Sequence, residues 1–170
     1  KWLTDPRHPL TSRVMVNRIW QYHFGHGIVD TPSDFGTLGT RPTHPELLDF
    51  LAASFIESNW DIKEIHRFIV TSQAYRQSAI HPNAAEMRQL DVGNQFLWRA
   101  NIRRLDAEQI RDNILKVSGE LDLQLGGEGQ GVDSPRRSAF LKMMRNHPHP
   151  FLLAFDGTDG ILSSPERTTT

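Results

Sequence analysis

The sequence contains no cysteine. Within this chain, that absence excludes disulfide bonds, thiolate metal sites, a cysteine nucleophile and covalent haem attachment. A surplus of one charge sign is also missing, because 19 lysine and arginine residues are balanced by 20 acidic residues, for a formal net charge of -1. No overall positive field exists to attract nucleic acid, and we therefore expect no nucleic-acid partner.

Long apolar runs are absent as well. No run approaches the ~20 residues that a membrane-spanning helix requires, so we expect no transmembrane segment. No charged segment precedes an apolar stretch near the start, and the chain shows no signal peptide. The sequence opens on Lys1 and ends in PERTTT, which indicates that both ends are cut from a longer protein.

Apolar residues at helical spacing predict a mainly α fold, built as an irregular helical domain. The first helix should run from about Thr11 to Phe24, because Gly25 then offers the left-handed conformation that commonly ends a helix. A later helix should start near Asp106 and end at Gly119 for the same reason.

Two further helices begin with capping-box sequences, Thr43–Glu46 and Asp61–Glu64. In such a box, the side chains of the first and fourth residues satisfy each other's backbone donors. The two helices should cover residues 44–58 and 62–74. Because only residues 59–61 connect them, we predict an αα-hairpin whose apolar sides face each other.

The C-terminal quarter is predicted to be rich in loops. Residues 123–135 (LQLGGEGQGVDSP) have the composition of a glycine-rich, mobile loop. Residues 138–144 (SAFLKMM) are a candidate for a short β element, within an irregular part over residues 136–170 that is expected to be truncated. The predicted organisation is one domain over residues 1–170, with its helical core in residues 1–122.

Histidines supply the weak candidates for a metal site. His23 and His26 are three residues apart and could hold one ion on a continuous helix. Gly25 should end the helix between them, so the preferred interpretation is that the chain holds no metal. His66 lies among isoleucines and is predicted to be a core histidine with one hydrogen-bond partner.

One arginine is placed among apolar residues of the first predicted helix. Arg13 lies in the same stripe as Trp20, where a guanidinium must reach either water or a carboxylate. Asp34 is the nearest acid in the following turn, so we predict that Arg13 pairs with Asp34 and that Trp20 is mostly buried. The functional alternative is an anion site formed by Arg13 and Arg18.

An enzyme would need a pocket in which several polar side chains converge with perturbed protonation. The candidates for such convergence are Arg13, Asp34, His44 and Arg137. Together with Trp20 they are the candidate binding residues, and for each of them a structural role is the preferred interpretation. No catalytic residue can be named from the sequence.

Long stretches of the chain resemble the planctomycete cytochrome-c-associated domain of unknown function 1553. The likeness covers nearly the whole chain and keeps its order. The stretches that carry it are HPLTSRVMVNRIWQYHFGHGIVDTPSDFG, RPTHPELLDFLAASFIESNWDIKEIHRFIVTSQAYRQS, FLWRANIRRLDAEQIRDNILKVSGELD, RRSAFLKM and the final ERTTT.

The resemblance implies a setting and no activity. Family members are large exported multidomain proteins, often with an upstream cytochrome c domain and sometimes with a carbohydrate-binding-like module. The resemblance therefore implies a location in the cell envelope or outside the cell. It also implies haem c in a separate upstream domain, with no cofactor in this chain. The expected partners are other domains of the same polypeptide, with a protein or polysaccharide partner left open.

Two functions stay open on these grounds. The first is a non-catalytic helical scaffold or interaction domain of a large exported protein. The second is an enzyme domain, redox or carbohydrate-directed, that acts together with the attached cytochrome.

Overall fold

The structure, a computed structural model, describes residues 2–131, 133–144 and 149–155. As predicted, the fold is mainly α, and no sheet forms among these residues. The described helices are α1 (Thr11–Phe24), α2 (Pro45–Glu57), α3 (Ile62–Thr71), α4 (Gln73–Arg76), α5 (Ala84–Leu90), α6 (Ala107–Ser118) and α7 (Pro150–Ala154), with a 3-10 turn at Ser138–Phe140.

The chain divides into two compact units, Lys1–Arg103 and Arg104–Thr170. The first unit holds α1 to α5, and the second holds α6, the 3-10 turn and α7. The organisation as a single domain with a helical core over residues 1–122 stays a prediction. No helix in the described part of the chain is both long and apolar enough to cross a membrane.

The core of the first unit lies where α1 packs against α2 and α3. Each helix contributes a completely or almost completely buried aliphatic side chain: Val16 from α1, Leu51 from α2 and Ile69 from α3. Removing apolar surface from water stabilises the fold by roughly 25 cal/mol per Å². This burial opposes the entropy lost when the three helices become ordered.

The predicted αα-hairpin forms from α2 and α3. Its short connection contains two consecutive residues with positive φ, Asn59 at 58° and Trp60 at 64°. The Trp60 amide donates to the Phe55 carbonyl oxygen at 2.9 Å, and the two rings meet edge to face with centroids 5.2 Å apart. Packing of the Trp60 ring on the core therefore accompanies an otherwise unfavourable backbone conformation.

Two predicted helix boundaries needed correction. The α2 N-cap is His44, with Pro45 in the first helical position, so the predicted Thr43 cap is wrong. The α3 N-cap is Asp61 as predicted, although its carboxylate accepts from the Lys63 amide at 2.8 Å. The α3 helix also ends at Thr71, with Ser72 as its C-cap, instead of continuing to residue 74.

Glycine and capping signals correctly located the C-terminal end of α1 and both ends of α6. Gly25 follows α1 with a φ of 93° and donates its amide to the Gln21 carbonyl oxygen. Gly119 follows α6 with a φ of 81°, in the left-handed region. Asp106 and Gln109 form a complete capping box at the start of α6.

The packing of α6 in the second unit differs from the pattern in its sequence. Apolar spacing predicts an apolar side containing Ile110, Ile114 and Val117. The structure instead buries Ala107 and Arg111 against the 3-10 turn, while 54% of Ile114 and 88% of Val117 remain exposed. The most apolar side of α6 is therefore not its packed side.

The candidate β element over residues 138–144 consists of a 3-10 turn followed by one isolated parallel bridge between Leu141 and Gln130. The Gln130 amide donates to the Phe140 carbonyl oxygen at 2.9 Å, and the Lys142 amide donates to Gln130 at 2.8 Å. These two bonds hold the glycine-rich segment at residue 130. Mobility of that segment stays a prediction.

Candidate functional site

Arg13 pairs with a different carboxylate from the one predicted. Its Nε lies 2.6 Å from Asp49 Oδ1, and its guanidinium also donates to the Pro9 carbonyl oxygen. The Arg13–Asp34 prediction is therefore wrong, because packing of α2 on α1 brings a helical acid closer than the turn does. The pair is open to solvent, so it contributes little to stability.

Asp34 organises its own turn. Its Oδ1 accepts from the Gly36 amide at 2.8 Å, and its carbonyl oxygen accepts from Thr31 Oγ1 at 2.8 Å. A Cβ on Gly39 would lie 2.1 Å from the same carbonyl oxygen, so only glycine fits there. These contacts give Asp34 a structural role in the turn.

His44 and Trp20 also have local partners. His44 Nδ1 lies 2.8 Å from Thr43 Oγ1, and its ring meets Phe96 edge to face. Trp20 stacks on Phe24 with centroids 4.1 Å apart and is partly buried against the core. Among the described residues of the first unit, the predicted site residues thus contact separate partners.

A histidine pair not expected from the sequence joins α1 to α3. His23 Nε2 lies 2.7 Å from His66 Nδ1, and both side chains are half-buried. Among the described residues, His23 is therefore the hydrogen-bond partner of His66, which is half-buried instead of lying in the core as predicted. The identity of that partner was missed, because 43 positions separate the two residues and only the packing of the helices brings them together.

The surroundings of the pair disfavour positive charge. The Tyr75 ring meets His23 edge to face at 5.3 Å between centroids. The pKa of His23 is lowered below its ordinary value, first by burial and then by the charges of His66 and Arg103. The hydrogen bond between the rings needs one donor nitrogen and one acceptor nitrogen, so at least one ring is unprotonated while the bond is formed.

The geometry of the pair fits a hydrogen bond better than a metal ion. Zinc at about 2.0–2.1 Å from each nitrogen would hold tetrahedral ligand atoms well over 3 Å apart, whereas 2.7 Å separates those of His23 and His66. His26 lies apart, with its Nδ1 3.8 Å from Asp30 Oδ1. No group of three or more His, Asp or Glu side chains suited to a metal occurs in the described part of the chain.

A buried arginine organises the second unit. Arg111 donates to the carbonyl oxygen of Arg136 at 2.9 Å, to that of Ser134 at 2.5 Å and to Ser138 Oγ at 3.3 Å. Asp112 Oδ1 accepts from both the amide and the hydroxyl of Ser138 at 2.7 Å each. Arg111 and Asp112 of α6 therefore both hold the 134–138 segment in place.

Arg136 holds the glycine-rich segment in place through hydrogen bonds to its carbonyl oxygens. Its guanidinium donates to the carbonyl oxygens of Gln124 and Gly126 and lies 4.6 Å from the centroid of the Phe140 ring. Its side chain is buried, so the charge is compensated by carbonyl dipoles and the ring face.

A cleft of about 490 Å³ opens beside the C-terminal half of α6. Arg137 is the one sequence-predicted site residue that lines it, with its Nε 3.7 Å from Asp112 Oδ2. The other lining residues are Gln109, Asp112, Asn113, Lys116, Gly119, Leu121 and Leu123. The cleft combines apolar and cationic side chains, and Asp112 is already hydrogen-bonded, so this arrangement suits binding better than proton transfer.

A comparison with protein families classifies the chain. The model of a family described as PSD1, protein of unknown function (DUF1553), matches residues 1–170. The chain belongs to the DUF1553 family. A search of curated proteins and a search of solved structures each found no match. Membership of DUF1553 assigns no activity, so the function must be argued from the two units themselves.

Proposed function

We propose that this DUF1553 chain is a non-catalytic helical scaffold or interaction domain of a large exported protein that also carries a cytochrome c domain. Export and the link to a cytochrome rest on the resemblance of the sequence to the planctomycete domain. The single observation that carries the interaction role is the exposure of four apolar side chains on the second half of α6 and in the segment that follows it. We call this surface, formed by Ile114, Val117, Leu123 and Leu125, the α6 surface.

The α6 surface is costly for an isolated chain to expose. All four residues are exposed, and they fall within one short stretch of sequence. Burying a side chain of this size against a partner stabilises the complex by about 1.5–3 kcal/mol. Several exposed apolar residues within one short segment favour an interaction site, whereas single exposed apolar residues are common everywhere.

Polar groups beside the α6 surface support a specific interface. The cleft carries Lys116 and Arg137 alongside Leu121 and Leu123. Protein interfaces typically combine an apolar centre with a polar rim. The two cations would fix the orientation of a partner, and the leucines would supply apolar contact area.

The partner we infer is another domain of the same polypeptide. Joining two domains by a short flexible linker gives each an effective concentration on the order of millimolar. A modest apolar surface is then sufficient for stable docking. A separate protein or a polysaccharide would be the alternative occupants.

The enzyme alternative has less support. It requires several of Arg13, Asp34, His44 and Arg137 to converge in one pocket. Arg13 pairs with Asp49, Asp34 closes a turn and His44 contacts Thr43. The polar groups that would be needed for catalysis therefore already have structural partners.

The proposal is tested by placing a charge in the α6 surface. Val117→Asp should weaken binding of this chain to the remainder of its polypeptide by roughly tenfold or more, about 1.4 kcal/mol, because a carboxylate would be buried without a partner. Isothermal titration calorimetry with the two parts expressed separately measures the effect.

The matched control is Val92→Asp, which makes the same change at a valine of the first unit that is 82% exposed. It should bind like the unmodified chain. The proposal is wrong if the unmodified parts do not associate, or if Val117→Asp binds as tightly as Val92→Asp.

A further inference from the structure

We propose that the His23–His66 pair is a pH-sensitive latch between α1 and α3, closed while at least one ring is neutral and opened when both rings are protonated. The inference is independent of the proposed interaction role. His23 Nε2 and His66 Nδ1 lie 2.7 Å apart, which is hydrogen-bond distance.

A contact of that length needs one N–H group and one lone pair. A neutral imidazole has one of each, so a neutral pair can form the bond, and so can a pair with a single extra proton. When both rings are imidazolium, both facing nitrogens carry hydrogen and no acceptor remains. The two rings must then separate, because like charges are also brought together in a half-buried place.

The groups around the latch strengthen this effect. His23 on α1 faces His66 from α3, Tyr75 from α4 and the charge of Arg103. The Arg103 side chain lies close to the end of α1. A Cβ placed on Gly25 would lie 3.2 Å from the Arg103 Cδ. None of the ion pairs among the described residues joins His23 or His66 to a carboxylate.

Opening the latch would weaken the packing around the C-terminal end of α1 in the first unit. The Tyr75 ring contacts both His23 and Phe24, at 5.3 and 5.8 Å between centroids. Phe24 is buried there, next to the end of α1. Separation of the rings would therefore weaken the contacts of α4 and α3 with the end of α1, while the packing of Val16, Leu51 and Ile69 in the centre remains.

The direction of the pH effect follows from the lowered pKa of His23. The unfolded chain binds this proton at about pH 6.5, whereas the folded chain binds it only at lower pH. The unfolded state thus carries more protons as the pH falls below about 6.5, and stability falls with it. The latch is fully closed above that pH and opens as acid is added.

The test compares His23→Gln with His26→Gln in urea unfolding at pH 8 and pH 5. Glutamine places an amide near the position of Nε2 and does not titrate, so the folding equilibrium constant of His23→Gln should fall less between pH 8 and pH 5 than that of the unmodified chain does. His26→Gln removes an exposed histidine just after α1 and should keep the full pH dependence.

Two measurements on the unmodified chain cover the case in which His23→Gln fails to fold. NMR titration should show the pKa of His23 below that of a free histidine, as burial beside His66 and Arg103 requires. Amide exchange, corrected for its intrinsic rate, should accelerate in α3 and α4 at pH 5 before it does in α2. Titration of His23 at the pH of a free histidine, unchanged relative protection of α3, or equal pH dependence of the two variants would overturn the proposal.

Discussion

Replacing Asn17 by alanine should destabilise the first unit more than any surface change. Asn17 is completely buried on α1. Its Nδ2 donates to the Val29 carbonyl oxygen at 2.9 Å, and its Oδ1 accepts from the Val29 amide at 2.8 Å. One side chain thus satisfies both backbone groups of a residue that is itself buried, and so fixes the loop after α1.

The expected cost follows from the two groups that Asn17→Ala leaves unpaired. Each buried backbone group without a partner costs about 1–3 kcal/mol, so we expect a loss of about 4 kcal/mol in the free energy of unfolding. Urea denaturation with linear extrapolation measures it. Asn17→Asp keeps the acceptor, loses the donor and buries a charge, so it should be at least as destabilising.

The matched control is Asn113→Ala on the exposed side of α6, where the amide donates to the Gln109 carbonyl oxygen at 2.8 Å. That change should stay within about 0.5 kcal/mol. A loss below about 1 kcal/mol for Asn17→Ala would refute the reasoning, since it would mean that water or a neighbouring group can satisfy Val29.

Three further outcomes are expected. Arg111→Met should lower the free energy of unfolding of the second unit by about 2–4 kcal/mol, because carbonyl oxygens including that of Ser134 lose their donor. Thermal unfolding followed by circular dichroism measures this loss. An unchanged midpoint would contradict the expectation. Arg13→Met should cost less than about 1 kcal/mol in urea denaturation, since the Arg13–Asp49 pair is solvent-exposed, and a larger loss would show that the pair is worth more than its exposure implies. Calorimetry with zinc and calcium should detect no tight site; one-to-one binding that disappears with His23→Ala would contradict that expectation.

Local signals in the sequence were sufficient to locate the C-terminal end of α1 and both ends of α6. Gly25 and Gly119 end α1 and α6 because glycine reaches positive φ without strain. Asp106 caps α6 through contacts within one turn of helix. Such features depend on neighbours in the chain, so a pattern in the sequence predicts them directly.

The candidate site depended on contacts between distant residues, and there the predictions were wrong or incomplete. The partner of Arg13 is Asp49, and the partner of His23 is His66; both pairs exist only because α1 packs on the hairpin. A polar residue on an apolar stripe was the available signal in each case. It indicated that a partner exists without identifying it.

The packing of α6 could not be read from apolar spacing either. Spacing predicts that Ile114 and Val117 pack inward, but the helix buries Arg111 instead. Carbonyl groups of the 134–138 segment supply enough hydrogen bonds to hold a buried guanidinium. The apolar residues thereby become available to a partner, which is the basis of the proposed interaction role.

The most direct test of that role is hydrogen exchange over residues 114–125, compared between this chain alone and the complete polypeptide. We predict that the complete polypeptide exchanges more slowly in this segment, while exchange in α2 is the same in both. Equal exchange rates over residues 114–125 would contradict the account, because the α6 surface would then have no partner among the other domains.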